Sequence, residues 1–205
     1  MKRITMSFAV LALVAAAACQ ASAQNLIANP GFELPTVDMG SSLGNWFRFG
    51  SGAGGTSSDD TSMPRTGSGN IELSVVGANQ FAGIFQKLPG TISPGQILTF
   101  SGWAKSAFEP FAATQEIKIE WTGAPTNQLN VLTLPTTYTQ FTHTAVAPAG
   151  TTGATVTYAI ATFGPGQGDS VVFLDDFSAT VIPEPATVGL LLVGLAGIGV
   201  LRRRK

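Results

Sequence analysis

The sequence predicts an all-β domain built as an antiparallel sandwich or jelly roll, and three observations carry that reading. Apolar and polar residues alternate in GNIELSVVG, GQILTFSGWAKS, QEIKIEW, ATVTYAIATF and DSVVFLDDFSATV. These runs are rich in Val, Ile, Thr and aromatic residues, which fit a half-buried pleated surface. Gly, Pro, Asn and Ser cluster between them, and helical periodicity is confined to the two ends of the chain. Short strands parted by turns are the pattern of a sandwich. By contrast, FGSGAGGTSSDDTSMPRTGSG reads as one long Gly- and Ser-rich loop.

The two ends differ in kind from this middle. The chain starts MKRITMSFAVLALVAAAACQASAQ. Lys2 and Arg3 precede an apolar stretch from Phe8 to Ala18, and Ala21-Ser22-Ala23 supplies the small residues that a signal peptidase reads. Residues 1–23 are therefore expected to be a secretory signal peptide with a helical apolar region, leaving Gln24 first. A second reading takes Ala16-Ala17-Ala18-Cys19 as a lipoprotein processing site with Cys19 lipidated. At the other end, Ala186 to Leu201 is uncharged and precedes Arg202, Arg203, Arg204 and Lys205. As a helix, this run spans ~24 Å against a ~30 Å hydrocarbon core. The terminal cations can snorkel to the headgroups on the cytoplasmic side. One inner-membrane-spanning C-terminal helix is expected.

A stub of four cations is too short to bind a partner of any size. The tail resembles a PEP-CTERM sorting signal: a Pro-Glu-Pro motif (Pro183, Glu184, Pro185), a short hydrophobic segment, and a basic end (Arg202, Arg203, Arg204, Lys205). The resemblance implies recognition by an exosortase, a membrane-embedded transpeptidase of Gram-negative bacteria that make exopolysaccharide. The expected organisation is then residues 1–23 as signal peptide, 24–182 as a β-sandwich domain and 183–205 as a sorting signal. The expected localisation is an inner-membrane precursor that reaches the cell surface or the extracellular matrix.

Removing both ends changes the charge balance. Of eleven Lys and Arg, only Arg48, Arg65, Lys87, Lys105 and Lys118 lie in the exported part, whereas all twelve Asp and Glu lie between the signal and the apolar tail. This part is acidic and lacks a basic patch to neutralise phosphates, which argues against nucleic acid as a partner. Cys19 is the one cysteine, so no internal disulfide is available and folding rests on the core, alone or with a metal. A chain of this size buries enough surface as one domain.

NLIANPGFELP resembles the opening strand of galactose-binding-like β-sandwiches, carbohydrate-binding modules among them, through Asn29, Gly31, Phe32 and Glu33. ILTFSGWAKS resembles the central strand of that family and VVFLDDFSATV its closing strand with an acidic pair. The resemblance implies a candidate structural Ca²⁺ joining Glu33 to Asp175 or Asp176. Carboxylates and backbone carbonyls are the oxygen ligands that Ca²⁺ takes. The competing reading has these acids solvated or bonded to turn amides.

Sugars are gripped by aromatic faces with polar neighbours, so the tryptophans lead the search for a ligand site. Alternation places Ile117, Ile119 and Trp121 on one face, as core. It puts Leu98, Phe100 and Ala104 in the core and turns Trp103 outward beside Ser101 and Lys105. Trp103, Trp46, Ser101 and Lys105 are the expected ligand-binding residues, with a covering loop over Trp103 and a core role for Trp46 as alternatives. Tyr138 reads as a strand-start residue. His143, the one histidine, reads as exposed or locally hydrogen-bonded. Glu116 and Glu120 share a strand face, but nothing around them marks a glycosidase cleft, and catalytic motifs are lacking. The sequence points to a non-enzymatic module that binds polysaccharide, or else to a structural surface protein with no small-molecule site.

Overall fold

The computed structural model describes residues 24–38 and 45–182. The expected signal peptide, Cys19, the apolar tail and the Pro183–Pro185 motif lie outside the described residues. Within them the structure is all-β. The strands are β1 (Val37–Asp38), β2 (Phe47–Gly50), β3 (Gly55–Asp60), β4 (Asn70–Val75), β5 (Phe81–Lys87), β6 (Ile97–Ser106), β7 (Thr114–Thr122), β8 (Asn127–Val131), β9 (Thr139–Val146), β10 (Gly153–Ala161) and β11 (Ser170–Ile182). They form a six-stranded sheet, β1-β2-β5-β10-β7-β8, and a five-stranded sheet, β3-β4-β11-β6-β9. Every pairing with a resolved register is antiparallel except the short parallel contact of β1 with β2.

The alternating segments form strands with the expected faces inward. Leu98, Phe100 and Ala104 of β6 are buried, as are Ile117, Ile119 and Trp121 of β7. The facing sheets bury these side chains against Ile71, Leu73, Val156, Tyr158, Val172 and Leu174. Phe177 of β11 stands at the centre of an aromatic cluster. Its ring lies 5.2–6.2 Å from those of Phe32, Trp46, Phe100, Phe141 and Tyr158. Several of these contacts are edge-to-face, an arrangement worth about 0.5–1.5 kcal/mol beyond the area buried.

Three expectations are corrected. The Gly- and Ser-rich loop contains β3, which pairs with β4 from Gly55↔Val75 to Asp60↔Asn70. An edge strand needs only backbone pairing, and its small polar side chains give no apolar signal. NLIANPGFELP forms no strand. Asn29 and Phe32 adopt left-handed φ of 49° and 55°, and Pro30 has no amide to donate. Side chains stitch this segment down instead: Asn25 bonds Phe177 O and Ala179 N, and Gln86 bonds both Ala28 N and Ala28 O. Of the two readings of His143, exposure is the one corrected: it is buried on the inner side of β9 with Ala145, and its Nε2 lies 3.4 Å from Asn127 O, within hydrogen-bonding reach.

β11 holds one irregularity that shapes the acidic end of the domain. Its inward-facing apolar positions are Val172 and Leu174, then Phe177 and Ala179, while Phe173 and Asp175 are buried as well. The alternation slips by one residue at Asp176, whose φ is 49°. An extra residue in a strand bends it and re-aims its side chains. Here the slip delivers Asp175 and Asp176 together towards the turn between β3 and β4.

Candidate functional site

Two outer faces compete as a ligand surface. On the five-stranded sheet, Trp103 does point away from the core. The segment between β3 and β4 lies over it. The Arg65 guanidinium carbon stands 3.7 Å above the centre of the Trp103 ring, a cation–π stack, and Arg65 Nη1 donates to Asp176 Oδ2 at 2.6 Å. Lys105 Nζ lies 5.0 Å from the Tyr138 ring centre and 3.5 Å from Met63 Sδ. Tyr138 OH donates to Met63 O at 2.7 Å, and burial is the main cause of its raised pKa. Ser101 shares the outer side of β6 and is half-buried. Trp46 is corrected outright: it is 2% exposed, packs on Phe32 and Phe177, and donates its indole N–H to Asn29 O. No face of that ring is open to a sugar.

The three expected metal residues, from opposite ends of the domain, all border Gly31. Glu33 Oε1, Asp176 Oδ1 and Asp175 Oδ1 lie 3.7, 3.7 and 3.8 Å from the point where a side chain at Gly31 would begin. Each is engaged by the β3–β4 turn. Glu33 accepts from Ser68 N, Ser68 Oγ and Gly69 N. Asp175 accepts from the amides of Arg65, Thr66 and Asp176. Thr66 Oγ1 donates to Asp176 Oδ1. The donor chemistry fits a hard divalent ion. Among the described residues, however, no group of three or more His, Cys, Asp or Glu is close enough to hold one. Side chains alone do not complete a shell here, and main-chain carbonyls would have to supply the rest.

The outer face of the six-stranded sheet is different in character, and none of the ligand residues expected from the sequence lies on it. The registers set its residues in rows. One row is Phe47–Phe85–Thr157–Lys118–Gln128, and the next is Phe49–Gly83–Ala159–Glu116–Asn130. A further row brings Phe81 beside Ala161 and Thr114. Phenylalanines thus line the β2–β5 side, with ring centroids 5.4 Å apart for Phe47–Phe85, 6.1 Å for Phe49–Phe85 and 6.2 Å for Phe49–Phe81. Phe49, Phe81 and Phe85 are half-buried, whereas Phe47 is covered and backs the Phe85 ring. The Phe49 ring reaches across Gly83, where any side chain would collide with it. Gly83, Ala159 and Ala161 make a low floor. Beyond it stand Glu116, held to Lys118 Nζ at 2.7 Å, and Glu120, which accepts from Thr157 Oγ1 at 2.6 Å. The signal for this face is present in the alternation of FRFG and FAGIFQK. Their outward residues are aromatic, so the pattern looks unlike a half-polar strand. A separate open cleft of about 370 Å³ between Phe111, Leu132, Leu134 and Pro135 has mostly apolar walls and few groups to orient a sugar.

The carboxylate cluster gives a pH signature. The Ser68 hydroxyl and then the Ser68 and Gly69 amides hold the Glu33 pKa below its ordinary 4.5. A lowered folded-state pKa contributes stability that is present above the ordinary value and lost as pH falls through the lowered one. Asp175 acts in the opposite sense, because burial raises its pKa, but it is common to wild type and variant. In calcium-free buffer, Glu33→Gln should lower the melting midpoint at neutral pH. The deficit should shrink as pH falls below the ordinary 4.5. A deficit independent of pH would show that the Glu33 charge contributes nothing.

Known proteins share both parts of this chain. The profile of a PEP-CTERM protein-sorting motif matches residues 181–205. No curated protein matches the chain. Among solved structures, the CBM22-1 xylan-binding domain of Xyn10C from Paenibacillus barcinonensis is similar at a TM-score of 0.55 and 11% identity, over 78% of this chain and 96% of that one. TmCBM61, solved with β-1,4-galactotriose, is similar at 0.52 and 16%, over 76% and 97%. The enzymatically active domain of tailspike protein 4 of bacteriophage CBA120 is similar at 0.57 and 17%, over 77% of this chain, which spans 21% of that one. At these identities the likeness is one of fold. The Carbohydrate binding domain profile matches residues 24–162, and the chain belongs to that family.

Proposed function

We propose that the exported domain binds a polysaccharide on the outer face of its six-stranded sheet, without cleaving it. The observation that carries this is the phenylalanine platform of Phe49, Phe81 and Phe85, backed by Phe47, beside a floor of small residues and a row of charged and amide side chains. Aromatic faces take the C–H faces of sugar rings. Glu116, Lys118, Glu120, Gln128 and Asn130 supply donors and acceptors for hydroxyls. Membership of a carbohydrate-binding family supports the reading, as do neighbours that bind xylan or a galactotriose. Binding without cleavage is favoured because Glu116 and Glu120 are each held by a neighbour, and a non-enzymatic role accords with the family. The opposite face is the lesser candidate, because Arg65 occupies the Trp103 ring.

Titration with fragments of xylan and β-1,4-galactan, after an array screen, tests this. Phe49→Ala should weaken binding about tenfold or more, as loss of a binding hot spot does. Trp103→Ala should retain affinity. The reverse result would move the site to Trp103, Ser101 and Lys105. Failure to bind any glycan would favour a structural surface protein.

We infer from the sorting motif that a signal peptide directs export and that an exosortase processes the tail at the inner membrane. Intact-mass measurement of surface-located protein should find residues 202–205 and the preceding apolar run gone. Recovery of the whole tail there would refute processing.

We further propose that Ca²⁺ binds at Glu33, Asp175 and Asp176 with main-chain carbonyls. Ligand binding to the native state alone adds about 2.7 kcal/mol at a hundredfold excess over Kd. Calcium should therefore raise the melting midpoint and EDTA should reverse it. Equal midpoints would remove the ion from the account.

A further inference from the structure

One edge of the sandwich is free of charge. From Trp121 to Gly168 the chain carries no Asp, Glu, Lys or Arg. That stretch includes β8 and β9, each an edge strand of its sheet. The other two edges are guarded: β1 carries Asp38, and β3 carries Asp59 and Asp60. Charges on an edge strand keep a further strand from pairing with it. β8 has neither a charge nor a proline. Because the exported part is acidic, two copies of this chain repel each other except where an edge is uncharged.

The backbone of β8 is directed outward at alternate residues. Leu88 N donates to Ala154 O, so the odd-numbered residues of β10 turn their N–H and C=O groups towards β7. Thr157 and Ala159 thus bond Lys118 and Glu116. On β7, Ile117 and Ile119 then turn theirs to β8, where they face Leu129 and Asn127. Gln128 and Asn130 are left with N–H and C=O groups aimed away from the sheet. The Leu129 side chain lies on the inner side, opposite Ile117, yet it is 36% exposed. The edge strand of the facing sheet, β9, packs against β7 and leaves Leu129 partly uncovered.

We infer that β8 pairs antiparallel with β8 of a second copy of this chain, about a two-fold axis at Leu129. Gln128-Leu129-Asn130 reads amide–leucine–amide in either direction, which suits an isologous contact. Gln128 N–H donates to Asn130 O of the second copy, whose Asn130 N–H donates back to Gln128 O; the axis repeats both bonds. The Gln128 and Asn130 side chains bond each other at 2.6 Å within one copy. They also oppose each other across the seam, where amides both donate and accept. Leu129 meets Leu129 as a non-hydrogen-bonded pair, the closer of the two kinds, with Cα atoms about 4.5 Å apart. The uncovered leucine is thereby enclosed. The axis stands normal to the sheet, so the outer faces of both six-stranded sheets look the same way.

Site-directed cross-linking of the full chain tests the pairing, with Cys19→Ser removing the one native thiol. Leu129→Cys should give a disulfide-linked dimer on mild oxidation, because Cα atoms about 4.5 Å apart suit a disulfide. Asn127→Cys should not, because the axis sets the two copies of residue 127 roughly 14 Å apart along the strands. Leu129→Lys sets like charges opposite each other and should weaken the dimer about fivefold or more in sedimentation equilibrium. If urea denaturation shows the Leu129 variants unfolded, the exposed pair Gln128→Lys with Asn130→Lys replaces them and should weaken the dimer alike. Equal cross-linking at residues 127 and 129 would overturn the pairing. So would a wild-type chain still monomeric at about 100 μM, or a dimer that the lysine variants leave unchanged. Cross-links from Leu129→Cys in cells only to other proteins would give this edge to a different chain and overturn self-pairing too.

Discussion

The Phe177 ring holds the arrangement together. It contacts aromatic side chains from the N-terminal segment, from the residue preceding β2 and from β6, β9 and β10. Both sheets and the segment around Phe32 therefore converge on one side chain. The packing is possible because position 102 is glycine: a Cβ there would strike the Phe177 and Phe141 rings. Dense interiors transmit such clashes rather than absorb them. The slip at Asp176 follows from the same constraint. It turns Phe177 inward after Leu174 has already faced inward, and the two adjacent aspartates are left to anchor the β3–β4 turn.

That anchoring makes the two outer faces unlike. Asp175 and Asp176 fix the turn that carries Arg65, and Arg65 lies on Trp103. The five-stranded sheet is thereby roofed by its own chain. The six-stranded sheet keeps Phe49, Phe81, Phe85 and its polar row half-exposed. The sandwich does not itself dictate chemistry; the side chains on its faces do.

Much of this is legible in the sequence. Alternation locates β4, β6, β7, β10 and β11, places Leu98, Phe100 and Trp121 inside, and turns Trp103 out. The approach of Glu33 to Asp175 and Asp176 is legible only through resemblance, because strand patterns alone do not say which chain ends meet. The rest is hidden for physical reasons. β3 carries small polar and acidic side chains, and its ladder with β4 leaves no apolar signal in the sequence. Trp46 looks like a loop aromatic until the cluster around Phe177 encloses it. The phenylalanine face is masked because β5 is apolar on both sides: Ala82 and Ile84 face the core, whereas Phe81 and Phe85 face out. Tryptophan is the stronger stacking residue, yet cross-strand register assembles a larger surface from phenylalanines.

The floor of that surface has a consequence for how such a protein changes over generations. Gly83, Ala159 and Ala161 face away from the core, yet Ala159 and Ala161 are each 2% exposed, so larger residues at the two alanines would have to displace the side chains that cover them. Gly83 is the strictest case, since any side chain there would collide with the Phe49 ring. Folding and the shape of this face are therefore coupled at the floor, and the face can vary freely only at the half-exposed side chains that rim it.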